Sequence, residues 1–286
     1  MSDLRLIRVG EIGSERPVVL DPEDRAFALE PLTSDIDGGF LAADGPSRVP
    51  AALAAGQLPP YELDGGRLGA PIVRPGKIVC IGLNYRDHAR ETGAPIPQEP
   101  VVFLKAPSSV SGPGDEVLIP RGSTKTDWEV ELAVVIGREA RYLADREEGL
   151  ACVAGYCVAN DVSEREFQLE RGGQWDKGKS CETFQPLGPW LVPAAQIADP
   201  QALRLRLWVN GELRQDGSTA EMIFGVGHLV WYLSQFMVLE PGDVINTGTP
   251  AGVALGRPDQ PYLRAGDVVE LEIDGLGRQR QVCRQA

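Results

Sequence analysis

A β-rich α+β domain is the fold class this sequence predicts, on three observations. Apolar runs that alternate with period two, or that are rich in β-branched residues, recur along the chain. Asn-Gly, Asp-Gly and Gly/Pro signals separate them. Helical patterns are few. The 286 residues are 43% hydrophobic and 24% charged, an ordinary globular composition. That length holds one large domain, or a catalytic domain with a small appendage.

The elements follow in order. "LRLIRVG" and "PVVLD" read as short strands. Residues Asp35 to Pro60 are rich in Ala, Gly and Pro. Together they predict a small N-terminal domain, residues 1–70, with little core of its own. A Pro/Gly boundary, "GAPIVRPGK" at 69–77, opens a catalytic domain over 71–286. "KIVCIGLNY" (77–85) is a buried strand, and "DHARETG" a short helix stopped by Gly93. "GDEVLIP" and residues 127–136 are strands, and "ACVAGYCVANDVS" is a strand running into a polar turn. "LRLRLWVNGELRQDG" is a hairpin with Asn210-Gly211 at its turn. "STAEMIFGVGHLVWYLSQF" is the one long helix expected, capped by Ser218 or Thr219 and well buried. "GDVINTGTPAG" is a strand ending in a glycine loop, and the last hairpin turns near Asp274-Gly275.

The net charge of -13 argues against nucleic acid and anionic membrane surfaces as partners, since both select basic patches. No apolar stretch is long enough to cross a bilayer, and "MSDLRLIRVG" lacks a signal-peptide core. The five cysteines are odd in number and include no Cys-x-x-Cys pair. A reduced, cytoplasmic protein with mostly buried thiols is expected.

Chemistry concentrates in a few segments. In "TKTDWEVELAVVIG" a strand would aim Asp127, Glu129 and Glu131 to one face and Trp128, Val130, Leu132, Val134 and Ile136 to the other. A solvated polar face is the commoner outcome of such spacing. Packed together, the carboxylates would repel unless a cation neutralised them, and oxygen donors favour Mg²⁺, Mn²⁺ or Ca²⁺. Asp161 ends an apolar strand, with Arg165 and Gln168 four and seven residues later; a helix cap is its plainer reading. His88 and Glu91 lie three apart, the spacing of a surface ion pair or of a general base with its orienting carboxylate. "GGQWDKGKSCETF" sets Lys179 four residues before Thr183 in a loop able to hold a carboxylate or an enolate, or simply a solvated one. His228, the other histidine, sits among apolar residues and is expected in the core, and Cys181 is expected to be a packing residue.

In order along the chain, "IGLNYRDHARE", "PVVFLKAPSSV", "DWEVELAVVIG", "GYCVANDVSERE", "GGQWDKGKSCETFQPLGPW" and "VINTGTPAGV" resemble the fumarylacetoacetate hydrolase family. The likeness is strongest to its acylpyruvase and 2,4-diketo-3-deoxy sugar acid hydrolase branch. It implies a mixed β-sandwich roll with a small N-terminal domain, a site for Mg²⁺ or Mn²⁺, and a homodimer. Glu129, Glu131 and Asp161 match the metal ligands, and His88 with Glu91 the water-activating dyad. Lys179 matches the enolate-stabilising lysine. Arg165, Gln168 and Thr249 match substrate-binding positions. Lys177 matches no role, and Asp127 is a supporting group beside the ligands. The implied reaction is hydrolytic C–C cleavage of a β-diketo acid to pyruvate and a carboxylic acid, with residues 86–98 as a lid. Oxaloacetate decarboxylation, ureidoglycolate lyase, hydratase or isomerase chemistry would use the same site, and a non-enzymatic metal-binding scaffold would have no use for His88, Glu91 and Lys179. Arg86, Asp87, Gln174 and Asp176 are the polar groups expected to meet hydroxyls at the far end of a sugar acid.

Overall fold

The computed structural model describes residues 4–286. Strands β1 (Arg5–Val9), β2 (Arg16–Leu20) and β3 (Ala26–Ala28) form an antiparallel meander, followed by helices α1 (Gly38–Ala42) and α2 (Gly45–Ala54). Then come β4 (Ile78–Gly82), α3 (Arg86–Thr92), β5 (Val101–Lys105), β6 (Val110–Ser111), β7 (Val117–Ile119), β8 (Thr126–Asp127) and β9 (Val130–Ile136). Helix α4 (Arg146–Ala151) leads to β10 (Val153–Asn160), β11 (Ser163–Glu164), a π-helical turn (Glu166–Glu170) and α5 (Asp176–Lys179). The chain continues through β12 (Gln185–Pro193), β13 (Arg204–Val209), β14 (Glu212–Ser218), α6 (Val226–Leu233) and β15 (Val244–Asn246), and ends with β16 (Val268–Ile273) and β17 (Gly277–Gln285).

Two mixed sheets make the β-rich fold that the sequence predicts. The ten-stranded sheet runs β3-β2-β1-β12-β10-β9-β15-β4-β5, with β6 beside β12, and the five-stranded sheet runs β14-β13-β16-β17-β7. The main core, with Leu132, Val134, Val158, Leu205, Leu207 and Leu271, lies where the two sheets pack. A second core on the other side of the large sheet joins Ala133, Val135 and Cys157 to Phe40, Leu41 and Val49 of α1 and α2. Strand β9 is therefore apolar on both faces beyond Glu131. Each fully buried Leu, Val or Phe contributes about 1.5–3 kcal/mol, so these cores hold the sheet ends that carry the site.

The N-terminal segment shares this second core, and β1 meets β12 at Leu6 and Leu191. Its Ala/Gly/Pro-rich stretch folds into α1 and α2; the Asp37 side chain accepts the Phe40 N–H and caps the first. The expected strand over 77–85 stops at Gly82, because Leu83 takes a φ of +51° and turns the chain into α3. The expected strand over 127–136 is broken at Trp128–Glu129. There Glu129 N–H goes to the Asn160 side chain (3.1 Å) and Asp161 N–H returns to Glu129 O (2.9 Å), while β8 leaves to pair with β11.

The long helix expected over 218–236 is a correction: only Val226–Leu233 is α-helical. Ser218 ends β14 and caps a single 3₁₀ turn (Thr219–Glu221) by accepting Ala220 N–H. Ile223 and Phe224 donate across to Asn84, at its backbone O (2.7 Å) and Oδ1 (2.9 Å), so a tertiary partner takes the bonds a helix would need. Hairpin β13–β14 turns at Asn210-Gly211, both at positive φ, as the sequence predicts. Among the described residues no helix is long and apolar enough to cross a membrane. No disulfide forms, and four of the five cysteines are buried, Cys181 being partly exposed.

Candidate active site

Three carboxylates meet where β9 begins and β10 ends. Glu129 sits in the break before β9, Glu131 on β9 opposite Ala159, and Asp161 one residue past β10. All three are buried, and one oxygen from each lies within 4.8 Å of the others. The break in the run, rather than simple alternation, brings Glu129 beside Asp161.

The surrounding cations are shared unequally. Lys179 Nζ bridges Glu129 Oε2 and Asp161 Oδ2, both at 2.8 Å. Arg165 Nη2 lies 2.7 Å from Glu129 Oε1 and 2.8 Å from Asp127 Oδ2. Burial opposes ionisation of Glu129, but Lys179 and Arg165 outweigh it and hold its carboxyl at about 2. Glu131 receives Gly248 N–H (2.7 Å) and no ion pair among the described residues. Burial, with the charges of Asp161 and Glu129, pushes it well above the usual carboxylate range. Lys179 is buried too, a cost exceeded by Asp161 and Glu129, which push its pKa up and keep the ammonium charged.

An all-oxygen donor set with one unneutralised buried carboxylate suits a hard divalent cation such as Mg²⁺ or Mn²⁺. Glu129, Glu131 and Asp161 would hold it.

Helix α3 brings the two halves of the dyad together. His88 Nδ1 lies 3.1 Å from Glu91 Oε2, and Gly252 N–H fixes that carboxylate at 3.0 and 3.1 Å. Lys179 is delivered by α5, which presses on the π-helical turn. A Cβ at Gly178 would lie 2.4 Å from Glu164 O and 2.5 Å from Gln168 N, so only glycine permits this approach. Gln168 accepts from Arg165 Nη1 (3.0 Å). The Thr249 hydroxyl donates to Val130 O (2.9 Å) and accepts from Gln215 Nε2 (2.8 Å).

A cavity of about 250 Å³ is lined by His88, Glu129, Glu131, Arg165, Gln168, Lys179 and Thr249 together. The structure brings all the sequence-predicted site residues together: all line the cavity except Asp161 and Glu91, which touch its lining residues Lys179 (2.8 Å) and His88 (3.1 Å).

The four polar groups expected at the far end of a sugar acid do not line the cavity. Arg86 Nη1 donates to Met222 O (2.7 Å) and Asp87 accepts His88 N–H (2.8 Å). Gln174 Nε2 donates to Asp176, whose other oxygen accepts Leu104 N–H. Each is held by backbone or neighbour bonds. Lys177 donates to Arg171 O outside the site. His228 is half-buried in an aromatic stack with Phe224, Trp231 and Tyr232, not in the core.

Sequence reasoning missed Lys105. It is buried, its ammonium pairs with Asp161 Oδ1, and it donates to Val162 O (3.2 Å). The signal was present: Phe103 and Lys105 share a face of β5, so a lysine points inward beside a phenylalanine. Asp127, read only as a supporting group, binds Arg165 and the backbone N–H groups of Ala254 and Leu255.

Comparison with known proteins bears on this arrangement. Residues 77–284 match the family model described as fumarylacetoacetate (FAA) hydrolase C-terminal. A relative from Burkholderia multivorans, carrying only the provisional name of a hydrolase, is 51% identical over 284 residues, which are 99% of this chain and 100% of the relative. The structure of a probable 2-hydroxyhepta-2,4-diene-1,7-dioate isomerase from Mycobacterium abscessus is 36% identical, with a TM-score of 0.84 over 99% of each chain. That of maleylpyruvate hydrolase from Sphingobium sp. SYK-6, in complex with manganese(II) and pyruvate, is 30% identical, with a TM-score of 0.81 over 99% of each chain. The matched span holds every carboxylate, the dyad and both lysines, and the fold agrees from end to end. The chain belongs to the fumarylacetoacetate hydrolase family.

Proposed function

We propose that this protein is a divalent-metal-dependent hydrolase that cleaves a C–C bond of a 2,4-diketo acid, giving pyruvate and a carboxylic acid. The observation that carries it is the His88–Glu91 dyad on the same cavity as the carboxylates and Lys179. The similar maleylpyruvate hydrolase, solved with manganese(II) and pyruvate, supports the 2-oxo acid end. When bound, Mg²⁺ or Mn²⁺ would supply a Lewis acid for that end.

The protein's own groups do the rest. Glu91 holds His88 through Nδ1, which leaves Nε2 as the ring nitrogen able to take a proton from water. The hydroxide adds to the carbon of the distal carbonyl. The bond from that carbon to the methylene then breaks, and its electron pair passes to the pyruvate enolate. Lys179, held charged by its carboxylates, stabilises the developing negative charge until the methylene carbon is protonated. Arg165 and Gln168 orient the substrate from the adjacent wall. Residues 86–98 border the cavity through His88 and Ala94, where a lid would close. A homodimer in the cytoplasm belongs to the same proposal, and the solution mass tests the assembly.

The test is an acylpyruvate incubated with Mn²⁺ or Mg²⁺, with pyruvate measured by a coupled dehydrogenase. Equimolar pyruvate and acid are expected, with ¹⁸O from water in the acid. The likeness to an isomerase supports a second reading, double-bond migration on the same site. That reaction incorporates no ¹⁸O and releases no pyruvate. Loss of CO₂ from oxaloacetate without diketo acid hydrolysis would mean a decarboxylase.

A further inference from the structure

We infer that the group beyond the 2-oxo acid end of the substrate is apolar and uncharged, and that Trp175 and Phe103 select it. The inference rests on the oxo-acid reading above and deepens it.

The apolar lining of the cavity comes from Ile81, Leu83, Phe103, Leu169, Trp175 and Leu255. Phe103 stands at its border: Lys179 Nζ lies 5.1 Å from the Phe103 ring centroid. The apolar wall therefore begins beside the cation expected to meet the enolate. Trp175 continues it, edge-on to Phe103 with centroids 5.4 Å apart and planes at 62°. The indole packs closely on Gly82, where a Cβ would lie 2.6 Å from it. Trp175 thus stands between Gln174 and Asp176, the two polar residues that turn away and bond each other.

Among the side chains of this wall the Trp175 indole N–H is the single hydrogen-bonding group, too few partners for a second carboxylate or a row of hydroxyls. Among the described residues, the Arg and Lys side chains lining the cavity are Arg165 and Lys179, and both stand at the carboxylate cluster, where the 2-oxo acid end is read to bind. A carboxylate or several hydroxyls placed there would give up part of their water for at most one indole N–H. An alkyl or aryl group gains roughly fourfold in binding for each methylene buried.

The experiment measures binding of simple 2-oxo acids to the Mn²⁺-loaded protein by calorimetry, so it does not depend on the reaction. The probes are pyruvate, 4-methyl-2-oxopentanoate, 2-oxo-4-phenylbutanoate, 2-oxoglutarate and 2-keto-3-deoxygluconate. The two apolar acids are expected to bind at least about tenfold more tightly than pyruvate, and the last two no more tightly than pyruvate. Trp175→Ala should bring the ratio of apolar acid to pyruvate affinity towards one. Leu169→Lys, at a position already 44% exposed, should fold and should favour 2-oxoglutarate about tenfold over its wild-type affinity. Tighter binding of 2-oxoglutarate or of the hydroxylated acid to the wild-type protein overturns the inference, as does a Trp175→Ala variant with an unchanged ratio. If the ranking holds while no diketo acid is cleaved, the hydrolytic reading falls and this one stands. If no 2-oxo acid binds, both fall.

Discussion

Truncating Asp127 to alanine tests how the site is held. Asp127 is fully buried, and its carboxylate accepts the N–H groups of Trp128 (2.8 Å), Ala254 (2.8 Å) and Leu255 (3.0 Å) and Arg165 Nε (2.9 Å). The loop after β15 and the substrate-side arginine thus share one anchor. Asp127→Ala leaves Arg165 with Glu129 and Gln168 only, and strips three backbone donors of their acceptor. Removing one partner of a buried ion pair costs about 3–5 kcal/mol. Each unsatisfied donor adds about 1–3 kcal/mol. These do not sum, because the 252–255 loop can shift and admit water, so about 4–6 kcal/mol is expected in all. That is a large part of the ~5–15 kcal/mol that keeps a domain folded. Asp127→Asn keeps the shape but loses the charge and turns an amide NH₂ towards one of the donors, so about half that loss is expected. Urea unfolding at pH 7, followed by tryptophan fluorescence, reads both with the slope held common. A loss under about 1 kcal/mol for Asp127→Ala, the size of an ordinary surface substitution, would refute the anchoring argument.

Other expectations follow from the same contacts. His88→Ala should lower kcat by roughly 10²-fold or more while Mn²⁺ affinity by calorimetry stays close to wild type, because His88 contacts none of the three carboxylates expected to hold metal. Lys105→Met should destabilise the protein by about 3–5 kcal/mol, since Asp161 is left with Lys179 alone, and added Mn²⁺ should raise the melting temperature of the variant more than that of the wild type. Burial, with the charge of Arg146, holds the His228 imidazole below its ordinary value of 6.5. A depressed pKa means that its contribution is full above pH 6.5 and is lost as the pH falls, so His228→Phe should flatten the decline of stability between pH 7 and 5.

The sequence could be read wherever a local rule had no rival. Asn210-Gly211 demands positive φ and produces the hairpin, and Gly93 stops α3 in the left-handed region. Strand β13 carries its own alternation, and β9 and β10 are short apolar runs, β9 rich in β-branched residues. It misled where a distant group took over the backbone. The helix expected from Ser218 fails because Asn84, 140 residues from Phe224, takes its donors. Helices α1 and α2 hid behind Gly and Pro, which are benign at a helix start, as Pro46 is in α2. The site was legible as residue types at family-like spacing. Its wall was not, because Trp175, at the N-cap of α5, and its polar neighbours differ only in which way the backbone turns them there, and no spacing rule reports that.

The charges of the site give a second reason to expect one carboxylate on the substrate. Asp127, Glu129, Glu131 and Asp161 are buried together with Lys105, Arg165 and Lys179. Four carboxylates thus face three cations, and the unpaired one is Glu131, whose ionisation burial and the charges of Asp161 and Glu129 oppose among the described residues. A divalent ion would favour its ionised form, and with all four carboxylates ionised the cluster and its ion carry one excess positive charge. A 2-oxo monocarboxylate cancels it, so the loaded and occupied site is neutral in a place where unpaired charge is costly. A dicarboxylate would return the site to net negative, with its second carboxylate against Phe103 and Trp175 and no cation to meet it there. The electrostatics of the buried cluster and the make-up of the wall beside it are two separate reasons to expect a substrate with one charged end.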